Sequence, residues 1–474
     1  MTAIVTSKFR TLNAENFKED IASAGTSVYV AIGKSDAWSY TTSDTTDQEP
    51  FTPYDNLDSL TEARENIFAM KLLGAADVTH VVPRHTWTTG NTYVAWDSDD
   101  PDIFDKKFYV ITSEFKVYKC IYSPGTGSTQ EPTQTLTDPT AESDNYIWKY
   151  MYTVAVADAE KFLTTSYMPV KTVDPRSGDP AQASDYLSDS AAEQFLSEGA
   201  YAQYLNQKAS VNSTTAGGIQ RIEVTAGGTG YTSAPSVIIT GAGSNATATA
   251  TISGGSVTAI NVTAKGTDYS SAHIVLSGGG GSDATARAVL SPENGHGTDP
   301  VKELGGFFVA VNTLLDGTGG EEDDLTVGND FRQILLIKNP VNYGTTNIST
   351  SATRKAMHGI SFASVSGTLQ VDELIFQGTG ANRVEAFITE IDSDAGVYYL
   401  TQNNKTGYGN FAHTNGVVTG ATSGAQGTPT SAANTFSTNP DIDVHSGDII
   451  FLENRNPIDR ISSQIEDIKI IIEF

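Results

Sequence analysis

The sequence predicts an α+β protein that is predominantly β, with antiparallel sheets or a β-sandwich, a few helices and an inserted module of repeated strands. Three observations predict this class. Most apolar runs are short and rich in Val, Ile and Tyr, which are the residues that strands favour. The composition, with 43 Gly, 20 Tyr and 19 Phe, agrees with a chain of strands joined by turns. Lastly, one low-charge stretch repeats itself with strand-like alternation.

Strand-like runs occur from one end of the chain to the other. They lie at residues 27–32, 107–112, 115–122, 146–156, 334–338, 396–401, 448–452 and 468–474. Helices are expected to be fewer, because apolar residues recur at helical spacing in only three good candidates. These candidates, in which Ala, Glu and Leu replace the β-branched types, are residues 12–24, 57–73 and 190–210.

Residues 218–290 form two copies of one unit that are offset by 38 positions. Ile222 in the first copy corresponds to Ile260 in the second, and Tyr231 corresponds to Tyr269. Each copy contains an alternating strand, a Gly-rich turn before the Tyr, a second apolar strand, a Gly-Ser turn and an Ala/Thr strand. This pattern predicts a small antiparallel β-module in which the two copies share one core.

The remaining segments complete the prediction. Residues 292–330 are dense in Gly, Asp and Glu and are expected to be a loop, whereas 372–435 is a strand-rich block whose tail, 419–429, is rich in turn-forming residues. We therefore expect an N-terminal α+β part, the inserted repeat module and a β-rich C-terminal part that completes the core. Their boundaries are 1–210, 211–300 and 301–474, with a less familiar strand-rich block at about 341–440.

Charge and cysteine content exclude several classes of protein. The chain has 56 acidic and 29 basic residues and a net charge of −27, so it repels phosphate backbones and anionic headgroups. No nucleic acid or membrane partner is expected. Cys120 is the only cysteine, which rules out an intrachain disulfide and a Cys-based zinc site. Since neither a signal-peptide apolar region nor a membrane-length apolar run occurs, we expect synthesis and assembly in a cytosol.

Three short motifs are better interpreted as ordinary structure. Gly33-Lys34-Ser35 resembles the end of a P-loop, but Val28 stands where the first Gly is required, so a turn after a strand is expected. The acidic run 97–105 lacks the Gly and Glu of a calcium loop and predicts a solvated loop. Residues 278–283 resemble a calcium-binding nonapeptide, but one imperfect copy is weak evidence.

No constellation of catalytic residues is evident. The seven His residues lack metal-site spacing, although a site assembled from distant His and Asp stays open, and no Gly-x-Ser-x-Gly elbow occurs. We predict no catalytic residue, no cofactor and no metal. The aromatic run 146–152 is expected to place Tyr146, Trp148, Tyr150 and Tyr152 on one face of a strand, as core or as a subunit interface.

Several blocks, in the same order along the chain, carry a resemblance to a known family. They are residues 3–11, 33–38, 83–87, 144–150, 331–334 with 339–340, 445–448 and 453–474. These blocks closely resemble the baseplate wedge subunit of T-even-type contractile-tailed phages, the wedge protein present as a dimer in each wedge. The resemblance is absent over 211–300 and faint over 341–440. Its signature residues, taken as structural or interface candidates, are Lys8, Phe9, Arg10, Trp38, Arg84, Trp87, Trp148, Phe331, Arg332, His445, Glu453, Asn454 and Arg455.

This resemblance implies a non-enzymatic structural protein. Such a subunit forms a homodimer, docks onto other baseplate wedge proteins and is found in the tail baseplate of the virion after assembly in the bacterial cytoplasm. The baseplate holds the tail until receptor binding triggers sheath contraction. An alternative is a tail-associated carbohydrate-binding protein for host recognition, since β-rich, acidic, aromatic chains also serve that purpose. The order of the blocks favours the wedge subunit, because a sugar-binding protein has no reason to share it.

Overall fold

The computed structural model describes residues 4–39, 46–173, 196–211, 217–292, 294–316, 325, 328–431, 435–461 and 464–474. Strands predominate over helices in these residues, which confirms the predicted α+β class with predominant β-structure. The α-helices in the described part are α1 (Ser7–Ala22), α2 (Leu57–Glu65), α3 (Val156–Phe162), α4 (Glu198–Val211) and α5 (Pro300–Leu304).

The strands are numbered in chain order. The first fourteen are β1 (Val28–Gly33), β2 (Ile67–Leu72), β3 (Val78–Pro83), β4 (Tyr109–Ile111), β5 (Lys116–Tyr122), β6 (Thr140–Ala141), β7 (Ile147–Thr153), β8 (Tyr167–Val170), β9 (Ile219–Thr229), β10 (Ser236–Gly241), β11 (Ser244–Ser253), β12 (Ser256–Thr267), β13 (Ala272–Ser277) and β14 (Ser282–Leu290). The others are β15 (Phe308–Asp316), β16 (Asp330–Lys338), β17 (Thr353–Lys355), β18 (His358–Ser366), β19 (Leu374–Gln377), β20 (Val384–Asp392), β21 (Val397–Thr401), β22 (Val418–Gly420), β23 (Gln426–Pro429), β24 (Asp448–Asp459) and β25 (Ile465–Glu473).

The chain divides into two compact units, and each is assembled from distant segments. Unit 1 comprises Met1–Glu15, Thr79–Ala310 and Ile471–Phe474, and unit 2 comprises Asn16–Val78 and Val311–Ile470. The sequence-based boundaries at 210 and 300 stay a prediction.

Unit 1 contains a four-stranded sheet and a closed barrel. The sheet has the order β4-β5-β7-β6, and in it Cys120 of β5 lies opposite Trp148 of β7. One apolar cluster includes Trp148 and Tyr118, and another includes Val117 and Met151. Alternation along the strands therefore fills two separate cores, as expected for a sheet that is covered on both faces.

The tandem repeat folds into the barrel of unit 1, whose order is β10-β11-β12-β9-β14-β13. Each copy supplies three consecutive strands, and pairs between the copies, such as β10 with β13 and β14 with β9, close the barrel. Tyr231 and Tyr269 both lie in the shared core. A Cβ at Gly243 would collide with the Tyr269 ring, and a Cβ at Gly281 would collide with the Tyr231 ring. The predicted antiparallel module with a common core is confirmed, and each copy leaves space for the tyrosine of the other.

Unit 2 also contains an open sheet and a closed barrel. The sheet has the order β17-β2-β1-β16-β24, with Ala31 of β1 between Met70 and Leu335 of its neighbours. The barrel has the order β18-β21-β20-β19-β22-β23, and its core includes Ile375, Ile388 and other buried apolar side chains. Strands β19 to β23 fall in the block 372–435 that was predicted to be strand-rich, and its turn-rich tail contains the short strands β22 and β23.

Two predictions about secondary structure were wrong. The helix predicted over 57–73 ends at Glu65, because Ile67–Leu72 forms β2 and pairs with β1. Residues 67–70 are all buried, which an amphipathic helix cannot achieve but a central strand can. The loop predicted over 292–330 contains α5 and β15. Asp299 caps α5 by accepting a hydrogen bond from the Lys302 backbone N–H, and Pro300 occupies the first turn.

The other two helix predictions hold in part. Helix α1 begins at Ser7, several residues before the predicted start at 12. Helix α4, Glu198–Val211, falls within the candidate 190–210 to within one residue at its end, and 190–195 lies outside the described residues.

Candidate functional site

In unit 1, the signature block 83–87 meets the block 144–150 at Ser128. Trp87 donates its indole N–H to Ser128 Oγ at 3.2 Å, and Ser128 Oγ donates to Asp144 Oδ2 at 2.9 Å. The same carboxylate oxygen accepts the backbone N–H groups of Thr129 and Gln130 at 2.8 and 3.1 Å. Burial raises the pKa of Asp144, but these hydrogen bonds outweigh burial and hold the pKa below its usual value. Asp144 therefore fastens the 128–130 loop as a carboxylate.

Trp148 lies at the centre of the same region and is fully buried. Its ring stacks on Tyr146 with 5.6 Å between centroids and meets Tyr93 edge-on at 5.5 Å. We name Tyr93, Tyr146, Trp148 and Tyr150 the aromatic cluster. Trp148 is thus a core residue of unit 1.

The predicted alternation of four aromatics on one face of β7 is wrong at Tyr152. Tyr146, Trp148 and Tyr150 belong to the aromatic cluster, but Tyr152 lies in the opposite core with Met151. The pairing of β5 with β7 shifts register between Val117 and Tyr118, which breaks the two-residue period at this point.

Arg10, in the first signature block, joins the beginning of the chain to its end within unit 1. Its guanidinium lies 3.5 Å from the centroid of the Phe307 ring. Arg10 Nε donates to the Phe474 carbonyl at 2.5 Å, and the guanidinium pairs with Glu473. Arg84, directly after β3, joins a different pair of segments, since it donates to the Thr164 carbonyl at 2.9 Å.

Other residues in the first block, and Leu12 directly after it, face solvent. Ile4, Val5, Phe9 and Leu12 are 81, 65, 53 and 51% exposed, and Lys8 beside them is also exposed. We name these four apolar residues the N-terminal patch. Four large exposed apolar side chains within nine residues of sequence favour an interaction surface, whereas a single one would be unremarkable.

In unit 2, three blocks meet around Asp47. Trp38 is 4% exposed and donates its indole N–H to the Arg455 carbonyl at 2.8 Å. Asp47 accepts the Trp38 backbone N–H at 2.7 Å and Arg332 Nε at 2.7 Å. Arg332 also pairs with Asp330 at 2.9 Å. Phe331, the neighbouring signature residue, is completely buried.

A chain of side-chain amides, most of them buried, continues from this point. Gln333 donates to Asn454 Oδ1 at 2.9 Å and accepts from Asn66 Nδ2 at 3.2 Å. Asn403 donates to Asn66 at 3.0 Å and to Asp36 at 3.2 Å. Together with Trp38, Asp47 and Arg332, we name these residues the polar network. Buried amides that satisfy one another in this way favour a single arrangement of the strands.

Lys34, the lysine of the P-loop-like motif, already has an ion-pair partner in the folded chain. It is buried, and its ammonium pairs with Asp36 at 2.7 Å. The residue adopts a positive φ of 63°, so the Gly33-Lys34-Ser35 motif forms a sharp turn after β1. This agrees with the structural interpretation of the motif.

His445 and its neighbours lie against the block 339–340. Arg64 of α2 donates to the carbonyls of Ser446 and Gly447 at 2.6 and 2.7 Å. Gly447 has a φ of 68°, and a Cβ there would lie 2.6 Å from the Lys338 carbonyl oxygen. Only glycine fits this close approach. Glu453 and Arg455, in the middle of β24, form a half-exposed ion pair at 3.2 Å.

A cavity of about 320 Å³ opens in unit 2 and includes His445 in its wall. His358 and Phe436 stack there with 4.5 Å between centroids, and Tyr343 meets His358 edge-on. Tyr408, a further lining residue, donates its hydroxyl to Glu65. The size and the mixture of aromatic and amide groups are those of a small-ligand pocket.

The acidic run 97–105 is not simply a solvated loop, which corrects that prediction. Asp97 is 9% exposed and accepts a hydrogen bond from Arg287 Nη1 at 2.9 Å. This hydrogen bond from Arg287 lowers the pKa of Asp97 more than burial raises it. Asp100 pairs with Lys106 at 2.5 Å.

Among the residues that the structure describes, no group of three or more His, Cys, Asp or Glu side chains is placed to hold a metal ion. Within the same residues, no helix is both long and apolar enough to cross a membrane. A scan of the sequence against protein-family models finds no match, and a search of curated proteins finds no significant match either.

Several residues that hold these networks together were not predicted as site residues from the sequence. Asp47, Arg64, Asn66 and Asn403 each connect segments far apart in sequence. No local motif marks them, because their partners are set by the pairing of strands that are hundreds of residues apart.

Proposed function

We propose that this protein is a structural component of a phage tail baseplate wedge, a non-enzymatic subunit that assembles as a homodimer and with other wedge proteins. The proposal rests on the collinear blocks that resemble the family. One structural observation supports it: most of these blocks meet each other as packed networks in each unit rather than around a reactive centre. Residues that specify a rigid scaffold are what a subunit of a mechanical assembly requires.

The N-terminal patch is the surface that we assign to the contact with a second copy. Phe9 and Leu12 lie one helical turn apart on α1, next to the exposed Lys8. In a two-fold contact a second copy supplies the matching apolar face, and the acidic surface of each copy, with its net charge of −27, must lie outside the contact because like charges repel.

The experiment is light scattering on the purified full-length chain, alone and mixed with the other wedge proteins of its phage. We expect a dimer that enters a stable complex with those proteins. A monomer that ignores them would overturn the proposal.

A pair of variants then tests the patch. Phe9→Asp should reduce the dimer to monomer, because burying a carboxylate in an apolar contact is costly. Leu136→Asp, at a residue of unit 1 that is 62% exposed, is the matched control and should remain dimeric. If Phe9→Asp dimerises normally but no longer joins the other wedge proteins, the patch faces a different subunit.

Carbohydrate binding is the second candidate, and the cavity of unit 2 is the observation that favours it. Aromatic rings beside amide groups, here Tyr408 and Phe436 beside Gln402 and Asn410, suit a sugar ring with its polar rim. Binding of the full chain to a glycan array, abolished by Tyr408→Ala, would support this function. If a correctly folded chain bound no glycan, carbohydrate binding would be excluded and the wedge subunit would remain as the proposed function.

A further inference from the structure

A second, much smaller cavity in unit 1 lies among basic side chains. Its volume is about 20 Å³, and its wall includes Lys149 of β7, Lys265 of β12 and His296 of the segment after β14. Space of this size holds roughly one water-sized particle, since a single water needs about 10–15 Å³. Phosphate and sulfate, with four oxygens around a central atom, are too large.

His296 is the first sign that the cavity holds something other than protein. The side chain is 8% exposed, and neither ring nitrogen has a hydrogen-bond partner among the described residues. Burial, and then the charges of Lys119, Lys265 and Lys149, lower the pKa of His296. One nitrogen of a neutral imidazole still carries a proton, and a buried donor without an acceptor costs about 1–3 kcal/mol.

Lys149 and Lys265 have only neutral partners beside the cavity. Lys149 is 1% exposed and donates to Asn206 Oδ1 at 2.9 Å, and Lys265 donates to Gln220 Oε1 at 3.3 Å. Each ammonium has three N–H donors, so each has donors beyond these bonds. Burial lowers the pKa of Lys149 to about 8, although the charges of Glu303 and Asp138 act in the opposite direction.

The nearby buried carboxylate forms its ion pair with a different lysine. Glu303 pairs with Lys119 and accepts the backbone N–H groups of Gly297 and Asp299 at 2.8 and 3.1 Å. The lining carboxylate among the described residues is Asp138, which is exposed. If Lys119 and Glu303 cancel, two ammonium groups face one carboxylate, and one positive charge remains.

We propose that this cavity binds one chloride-sized monovalent anion, which accepts hydrogen bonds from Lys149, Lys265 and His296 and fastens the tandem module to the neighbouring sheet. The anion supplies the single missing negative charge and the acceptor that His296 needs. Lys265 belongs to the module, whereas Lys149 belongs to the four-stranded sheet, so one ion bridges the two. This inference is independent of the baseplate proposal.

The decisive measurement is anomalous diffraction from crystals of the full chain grown in sodium bromide at about 0.1–0.2 M. We expect a bromide peak in contact with Lys149 and Lys265. Density for a water without anomalous signal would overturn the proposal.

A solution measurement accompanies it. The Tm should be about 2–4 °C higher in sodium chloride than in sodium gluconate at equal ionic strength, because chloride binds only the folded state. Lys265→Gln should abolish this difference, whereas Lys107→Gln, at an exposed lysine of unit 1, should retain it. A bromide peak in wild-type crystals without any chloride-specific rise in Tm would mean an adventitious ion only, and would also overturn the proposal.

Discussion

The aromatic cluster of unit 1 and the polar network of unit 2 arise from the same kind of sequence signal but are stabilised differently. Trp148 packs with tyrosines, and its indole N–H has no hydrogen-bond partner among the described residues. Trp38 is almost as buried, yet its indole N–H is bonded and its neighbours are Asp47 and Arg332. A signature tryptophan can thus stabilise the fold by burying apolar surface in one unit and by donating a hydrogen bond in the other.

The largest effect is expected in the aromatic cluster. Trp148→Ala should lower the free energy of unfolding by about 3–5 kcal/mol, because it leaves a large cavity in a rigid core. Chemical denaturation measures the loss, and Leu136→Ala at an exposed position serves as the control. A loss below about 1 kcal/mol would show that the cluster is not a core. If Trp148→Ala and Trp38→Ala both folded normally but failed to assemble, these tryptophans would be interface residues instead.

Within the polar network, the largest loss of stability is expected when Arg332 is replaced. Arg332→Met should cost about 2–3 kcal/mol, since Asp47 and Asp330 would lose the guanidinium that holds them. Arg383→Met in the same unit removes a half-exposed pair with Glu385 and should cost less than about 1 kcal/mol. If the two variants lost equal free energy of unfolding, the polar network would contribute no more to stability than a half-exposed ion pair.

Replacing each tryptophan by phenylalanine isolates the hydrogen bond. Trp38→Phe loses the bond to the Arg455 carbonyl in a partly buried site, whereas Trp148→Phe loses no bond. We expect the first variant to be less stable than the second by about 1 kcal/mol, measured by chemical denaturation. If Trp148→Phe were the less stable variant, the two regions would not differ in their dependence on the indole hydrogen bond.

The smallest effect concerns pH. Burial raises the pKa of Asp372 to about 7, and the nearby charge of Asp330 adds to the rise. Between its ordinary pKa of 3.8 and about 7 the folded state binds more protons than the unfolded state, so stability falls as pH rises through this window. Asp372→Asn should therefore stabilise the protein by about 1 kcal/mol at pH 8 and have little effect near pH 4. Thermal unfolding at both pH values measures this, and an equal shift at both would contradict it.

Local patterns predicted the strands of the repeat module well. Alternation and turn residues depend on the chain alone, and the two copies reinforce each other. The same reasoning failed over 67–72, where a short apolar run was taken as the end of a helix but became the β2 strand of a buried sheet. Short apolar runs fit both structures, and only the neighbouring strand β1 decides between them.

The candidate sites were predictable to different degrees. The signature residues were visible in the sequence, but their partners were not, because Arg332 meets Asp47 only after β16 has paired with β1. Likewise, the cavity beside His296 required three separate elements to converge on it.

The predominance of β-structure, the tandem module and the lack of a recognisable catalytic motif could be predicted from residue order alone, because periodicity, turn chemistry and spacing are local properties. Only the folded chain shows which tyrosines share a core, which carboxylate contacts Trp38 and Arg332, and where two lysines and a histidine line one cavity. Those outcomes depend on distances between residues far apart along the chain, and such distances exist only once the strands have paired.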